Sequence, residues 1–226
     1  MSKILLILNQ DNLNKFTPYI ANLSYIYTND LQYINLLSLI QSYDTIIING
    51  GAIDLTYPNY LNYPNLKYLI EIIHTCDLLN KLLIGICLGC ELIAFAYGME
   101  IRKLNVPHNG YFLHIDQLTL KTDYYLKNLD PLLLQYSVSR HKNGIYPTNM
   151  LWDFHFGCKH VEALIDILAY SITGIPYIIK HKNKKIYGFQ FHPEYSDPIV
   201  ATNFFESFYL NQNQFQNQNT DNYIMF

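Results

Sequence analysis

Residues 81–98, KLLIGICLGCELIAFAYG, leave this chain few ways to fold. The run 81–87 reads as a buried strand, and 88–97 reads as the helix that follows it. No linker separates them; Gly85 and Gly89 simply flank Cys87 in a G-x-C-x-G pattern. A strand that reverses this sharply into a helix brings backbone segments too close for a Cβ, which explains both glycines. Such a turn holds the cysteine clear of the sheet and sets its sulfur over a helix N-terminus. The exposed N–H groups there favour a thiolate, and a cysteine so placed falls from about 8.5 to roughly 3.5–7.5. Taken alone, the corner is equally a small buried cysteine beside tightly packed glycines.

The flanking sequence repeats the strand–helix rhythm. Residues 3–9 and 44–50 read as short buried strands, the second stopping at Gly50-Gly51, and 65–80 carries apolar residues at helical spacing. Strands alternating with helices imply a parallel sheet with crossover helices. From about residue 101 strands and turns take over, at 111–120, 136–146 and 163–172, then a hairpin over 176–191 turning at 181–185, and an amphipathic helix over 197–211. The fold class expected is α/β: an open, mostly parallel sheet with helices on both faces and a smaller antiparallel strand region. One domain over 1–210 is expected, followed by a polar low-complexity tail, 211–226, with no pattern able to pack a core.

Half of the 226 residues are hydrophobic and the formal net charge is -3, so composition points to neither a nucleic-acid partner nor a membrane partner. The first apolar run is too short for a signal peptide, and a cytoplasmic location is expected. Four cysteines in a chain this long do not suggest a disulfide scaffold.

A thiolate that attacks an acyl carbon needs a base, a group to orient it, and donors for the oxyanion. YGFQFHPEY (187–195) offers His192 and Glu194, two apart at a strand end, where extended chain puts both on one face. The carboxylate would hold Nδ1–H and leave Nε2 for the sulfur. Strand C-termini of a parallel sheet gather on one edge. Gly51 N–H and Leu88 N–H could therefore face the oxyanion together, although Gly50 serves equally as a turn needing positive φ. Cys87 and Cys90 also form a C-x-x-C, so a redox pair is the alternative to Cys90 as core filling.

GICLGCEL together with GFQFHPE resembles the class I, triad-type glutamine amidotransferases, and the likeness extends over about residues 3–210. NGG matches the oxyanion loop, VPHNGYF (106–112) a strand after the elbow helix, and YSVSRHKNGI the substrate-binding segment. The resemblance implies a flavodoxin-like domain that hydrolyses the side-chain amide of glutamine through a γ-glutamyl thioester. Cys87 would be the nucleophile, His192 base and acid, and Glu194 the orienter, with Gly50, Glu91, Ser139, Arg140 and His141 on the substrate. No cofactor and no metal is implied. The chain departs from the family at Ala52, where many members have Pro, and at Glu91, where they have Gln. A Glu there is common in the related γ-glutamyl hydrolases, so a γ-glutamyl peptide or conjugate is an alternative substrate. With no G-x-x-x-x-G-K-[ST] loop, ammonia would pass to a separate synthetase subunit, or the protein is a free-standing hydrolase. A catalytically idle, partner-binding scaffold is the remaining reading.

His155, Cys158 and His160 lie close in DFHFGCKH, but their spacing matches no paired zinc motif. His108 either shapes the cleft or packs, and 180–185 (KHKNKK) reads as a solvated turn, with partner docking as the alternative.

Overall fold

The computed structural model describes residues 2–10, 12–111, 123–130, 134, 136–146, 151–153, 157–159, 164–171 and 174–208. The strand–helix alternation appears as β1 (Ile4–Leu8), β2 (Leu23–Tyr27), α1 (Leu36–Gln41), β3 (Thr45–Ile48), α2 (Leu66–Leu78), β4 (Leu82–Ile86) and α3 (Leu88–Ala96). Then come β5 (Glu100–Tyr111), β6 (Val138–Tyr146), β7 (Leu151–Asp153), β8 (Gly157–Lys159), β9 (Ile165–Tyr170), β10 (Pro176–His181) and β11 (Ile186–Phe189). A helix over 198–208, α4, follows.

Seven strands form one sheet in the order β2-β1-β3-β4-β11-β10-β9. The first five in that order run parallel, and β10 alone is reversed, pairing antiparallel with β11 on one side and β9 on the other. Period-2 alternation explains why both faces must be covered. Ile4, Leu6 and Leu8 of β1 pack with Ile84, Phe189, Phe204 and Phe205, while Leu5 and Ile7 pack with Ile46, Leu69, Ile73 and Ile93. Thus α1, α2 and α3 cover one face and α4 the other. Each such side chain contributes about 1.5–3 kcal/mol through burial.

Strand β11 positions the site. It returns antiparallel from β10 yet runs parallel to β4, with Gly188 opposite Gly85 and Phe189 opposite Ile86. The residues following β4 and β11 therefore emerge at one sheet edge, and Cys87 N–H donates to the Phe189 carbonyl at 2.7 Å. A second sheet pairs β5 with β6, and β7 with β8 makes a third.

The expected strand at 111–120 lies outside the described residues apart from Tyr111, as do the tail 211–226, the boundary at 210, His155 and His160. Strand β2 and helix α1 were not foreseen: β2 is a half-exposed edge strand and α1 has six residues, too short for a period to register. The turn at 181–185 is less solvated than expected. His181 is buried with its ring 4.8 Å from that of Tyr97, and Lys184 Nζ pairs with Asp77 Oδ1 at 2.7 Å, docking the hairpin on the end of α2. Among the described residues no helix is long and apolar enough to cross a membrane.

Candidate functional site

The backbone of Cys87 shows what the two glycines permit. Its φ is 52° and ψ -105°, a conformation disfavoured for an L-residue, held between β4 and α3. A Cβ at Gly85 would lie 2.4 Å from the Gly89 carbonyl oxygen, and one at Gly89 would lie 2.2 Å from the Ile48 carbonyl oxygen. Neither backbone can yield, so glycine is required at both.

His192 stands three residues beyond β11. Its N–H donates to the Val138 carbonyl at 2.7 Å, and Ser196 Oγ donates to its carbonyl at 2.8 Å, so backbone bonds on both sides hold it. Nδ1–H donates to Glu194 Oε1 at 2.7 Å, and the other side of the ring adjoins Cys87: one point beside Gly50 lies 2.7 Å from His192 Cε1 and 3.5 Å from Cys87 Cβ. The two motifs, far apart in sequence, therefore meet. The link between His192 and Glu194 differs from the extended chain expected: Pro193–Tyr195 is a single 3₁₀ turn, which brings the carboxylate back under the imidazole. Glu194 Oε2 is buried with no hydrogen-bond partner among the described residues.

That leaves the imidazole as the partner of a buried carboxylate. Burial alone would lower the His192 pKa, but the hydrogen bonds to Cys87 and Glu194 and their charges more than reverse this, pushing it up to about 11. Burial pushes the Cys87 thiol up as well, and the Glu91 and Glu194 carboxylates add to this, while the His192 hydrogen bond opposes it. The thiol, 5% exposed, thus departs from the lowered pKa expected at a helix N-terminus, because burial takes it out of water.

Gly50 and Gly51 close the other side. A Cβ at Gly50 would sit 2.7 Å from His192 Cε1 and 3.5 Å from Cys87 Cβ, and one at Gly51 would sit 2.9 Å from Leu88 Cδ2. Both glycines therefore abut the cysteine corner. Gly50 is not among the positive-φ residues, so its role is space rather than a turn conformation.

Cys90 behaves as core filling. It is buried and unbridged, and a Cβ at Gly188 would press on its sulfur at 2.7 Å. Arg140 comes to the site through its backbone, its carbonyl oxygen lying 3.8 Å from Cys87 Sγ, whereas its guanidinium lies over the Tyr195 ring. Ser139 and His141 turn toward Tyr177 instead. His141 Nδ1–H donates to the Asn143 carbonyl at 2.7 Å, leaving Nε2 to accept from Tyr177 at 2.9 Å, and Ser139 Oγ then donates to the Tyr177 oxygen at 2.6 Å. His108 pairs opposite His141 in the β5–β6 register.

Glu91, 3% exposed, projects from the first turn of α3, and its Oε1 accepts from Gln190 Nε2 at 3.1 Å and its Oε2 from Asn143 Nδ2 at 3.5 Å. Burial, opposed by these two donors, raises its pKa to about 7. Its ordinary value is 4.5, so between pH 4.5 and 7 the unfolded chain loses this proton while the folded one keeps it. Stability therefore falls as pH rises through that window, by about 3 kcal/mol in all, and levels off above it. Glu91→Gln carries no such titration. Urea unfolding should show this variant gaining on the parent steadily from about pH 4.5 to about pH 7.5; parallel pH profiles would refute the burial reading.

Gln190, Asn143, Tyr177 and the asparagines at the ends of β1 and β3 escaped sequence reading, because amides and a tyrosine in a chain rich in both carry no spacing signal. Among the described residues no group of three or more His, Cys, Asp or Glu side chains is placed to hold a metal.

A strained cysteine at a strand-to-helix corner, facing a histidine–carboxylate pair from the neighbouring strand, defines the elbow type of α/β site. The chain belongs to the class-I glutamine amidotransferase family, whose model matches residues 19–212. A glutamine amidotransferase-like protein of Acanthamoeba polyphaga mimivirus is 29% identical over 175 residues, covering 75% of this chain and 67% of the relative. A glutamine-hydrolyzing GMP synthase subunit of Methanococcus maripaludis is 36% identical over 115 residues, 50% of each chain, so the match spans about half of that relative. In fold, a solved structure described as a GMP synthase subunit from Thermoplasma acidophilum superposes with a TM-score of 0.70 at 18% identity, over 97% of this chain and 98% of that one.

Proposed function

We propose that this protein hydrolyses the side-chain amide of glutamine, releasing ammonia and glutamate through a γ-glutamyl thioester on Cys87. The observation that carries the reading is the buried His192–Glu194 pair, bonded at 2.7 Å, beside the strained Cys87 corner at the sheet edge. His192 takes the thiol proton as the sulfur attacks the amide carbon, and the oxyanion is met by Gly51 N–H and Leu88 N–H. Collapse breaks the C–N bond, with His192 returning the proton to the departing ammonia. Water then attacks the thioester, again giving a proton to His192, and glutamate leaves while the thiol is restored. The high pKa of His192 suits it to hold the proton while the sulfur is anionic. Relatives named as subunits of GMP synthase support a separate synthetase as the consumer of the ammonia.

Glu91 favours a second reading, in which the substrate is a γ-glutamyl peptide. A carboxylate suits a substrate ammonium, where the amide usual in the family also donates. Steady-state glutamate release from L-glutamine and from γ-glutamyl dipeptides tests both, with hydroxylamine added to trap the thioester as a hydroxamate. Faster release from glutamine supports the first reading and faster release from the dipeptides the second. An intact, folded protein that releases glutamate from neither would end both.

A further inference from the structure

The turn that carries Gly50 and Gly51 is held from behind by a cluster of amides. Asn9 follows β1, Thr28 follows β2 and Asn49 follows β3, so three adjacent parallel strands deliver them to the same edge as Cys87. Asn49 is fully buried; its Oδ1 accepts the Asn9 backbone N–H at 2.8 Å and its Nδ2 donates to Asn12 Oδ1 at 2.6 Å. One end of the Asn9 amide meets two acceptors, the Asn49 carbonyl at 2.9 Å and Asn49 Oδ1 at 3.3 Å, and must therefore be the nitrogen. Its oxygen then accepts from the Thr28 hydroxyl at 2.8 Å. The same side chain also lies against Gly51, where a Cβ would come within 2.6 Å of Asn9 Cβ.

We propose that Asn9 is a positioning residue for the oxyanion donors, gripping the Asn49 carbonyl and flanking Gly51 so that Gly51 N–H stays aimed beside Leu88 N–H. A peptide unit is planar, so holding the Asn49 carbonyl fixes the plane that leads into Gly50. Only the two soft torsions of Gly50 then separate that plane from the next, and glycine is the residue least able to restrain itself. Donors to a developing oxyanion act only when already placed at about 2.7–3.1 Å, so a loosened loop costs rate without costing substrate binding. This inference rests on the reading of Gly51 and Leu88 as the oxyanion donors.

Steady-state kinetics of glutamate release by the 226-residue chain test it. Asn9→Ala lowers kcat about 10- to 100-fold, less than the roughly 10²–10³ for deleting a donor outright, with KM within about threefold. Alkylation of Cys87 by iodoacetamide, which builds no oxyanion, keeps its rate. Asn9→Asp is nearly isosteric and still accepts from Thr28, yet it sets an acceptor against the Asn49 carbonyl, so it falls at least as far as the alanine variant. Thr28→Val leaves the grip but frees the far end of the amide, lowering kcat about two- to fivefold, and it keeps the test open should either Asn9 variant fail to fold. An unchanged kcat in a folded Asn9→Ala or in Thr28→Val overturns the proposal, as does a parallel loss of alkylation rate. If the parent protein releases no glutamate from any γ-glutamyl substrate, the functional reading fails first and the clamp falls with it.

Discussion

Cys87→Ser is expected to abolish glutamate release, a loss of about 10⁴–10⁶-fold, while Cys90→Ala retains most of it. The two cysteines stand three residues apart, but only one faces the imidazole. Cys87 adjoins the His192 ring beside Gly50, whereas Cys90 is buried against Gly188 of β11. A serine hydroxyl in place of the thiol is a far poorer acid and a weaker nucleophile at neutral pH. Cys90→Ala removes a small buried group and lowers stability by about 1 kcal/mol. Hydroxamate trapping and glutamate release measured on both variants decide the matter. Equal losses, or a Cys87–Cys90 disulfide found in the isolated protein by mass spectrometry, would favour a redox pair instead.

Gly50→Ala should cost at least about 10²-fold in kcat with little change in melting temperature. The new methyl would sit 2.7 Å from His192 Cε1, well inside contact distance, and the ring is already fixed by its 2.7 Å bond to Glu194. Either the imidazole turns away from the sulfur or the Gly50 loop withdraws from the oxyanion. Each outcome spoils an alignment that reaction requires. The backbone itself accepts alanine, because Gly50 has no positive φ. Reduced alkylation of Cys87 would show that the ring moved; a normal alkylation rate with low kcat would show that the loop moved. A fully active variant would mean that Gly50 does not border the site.

How much of this was legible in the residues depends on whether the signal was local. The α/β class came from apolar runs whose periods of about 2 and 3.6 are set by the backbone, and α2, β4 and α3 appeared close to their expected spans. The corner was equally legible, since steric exclusion of a Cβ at Gly85 and Gly89 is a property of the turn. HPE after a strand was legible as a pair, although its short 3₁₀ turn was not. Strand β2 was not, because a half-exposed edge carries no strong alternation.

Residues alone thus named the cysteine, the histidine, the carboxylate and the glycines, because each is demanded by chemistry or sterics within a few positions. They could not say that β11 would lie beside β4, since strand order depends on which faces bury best against α3 and α4. That adjacency, with Phe189 level with Ile86, is what carries His192 to Cys87. Nor could they give the Cys87 thiol its raised pKa or Glu91 its pKa of about 7, because desolvation depends on every neighbour that excludes water. The turning of Ser139 and His141 toward Tyr177, and the grip of Asn9 on Asn49, belong to the same kind: hydrogen bonds between side chains brought together from distant parts of the chain by packing.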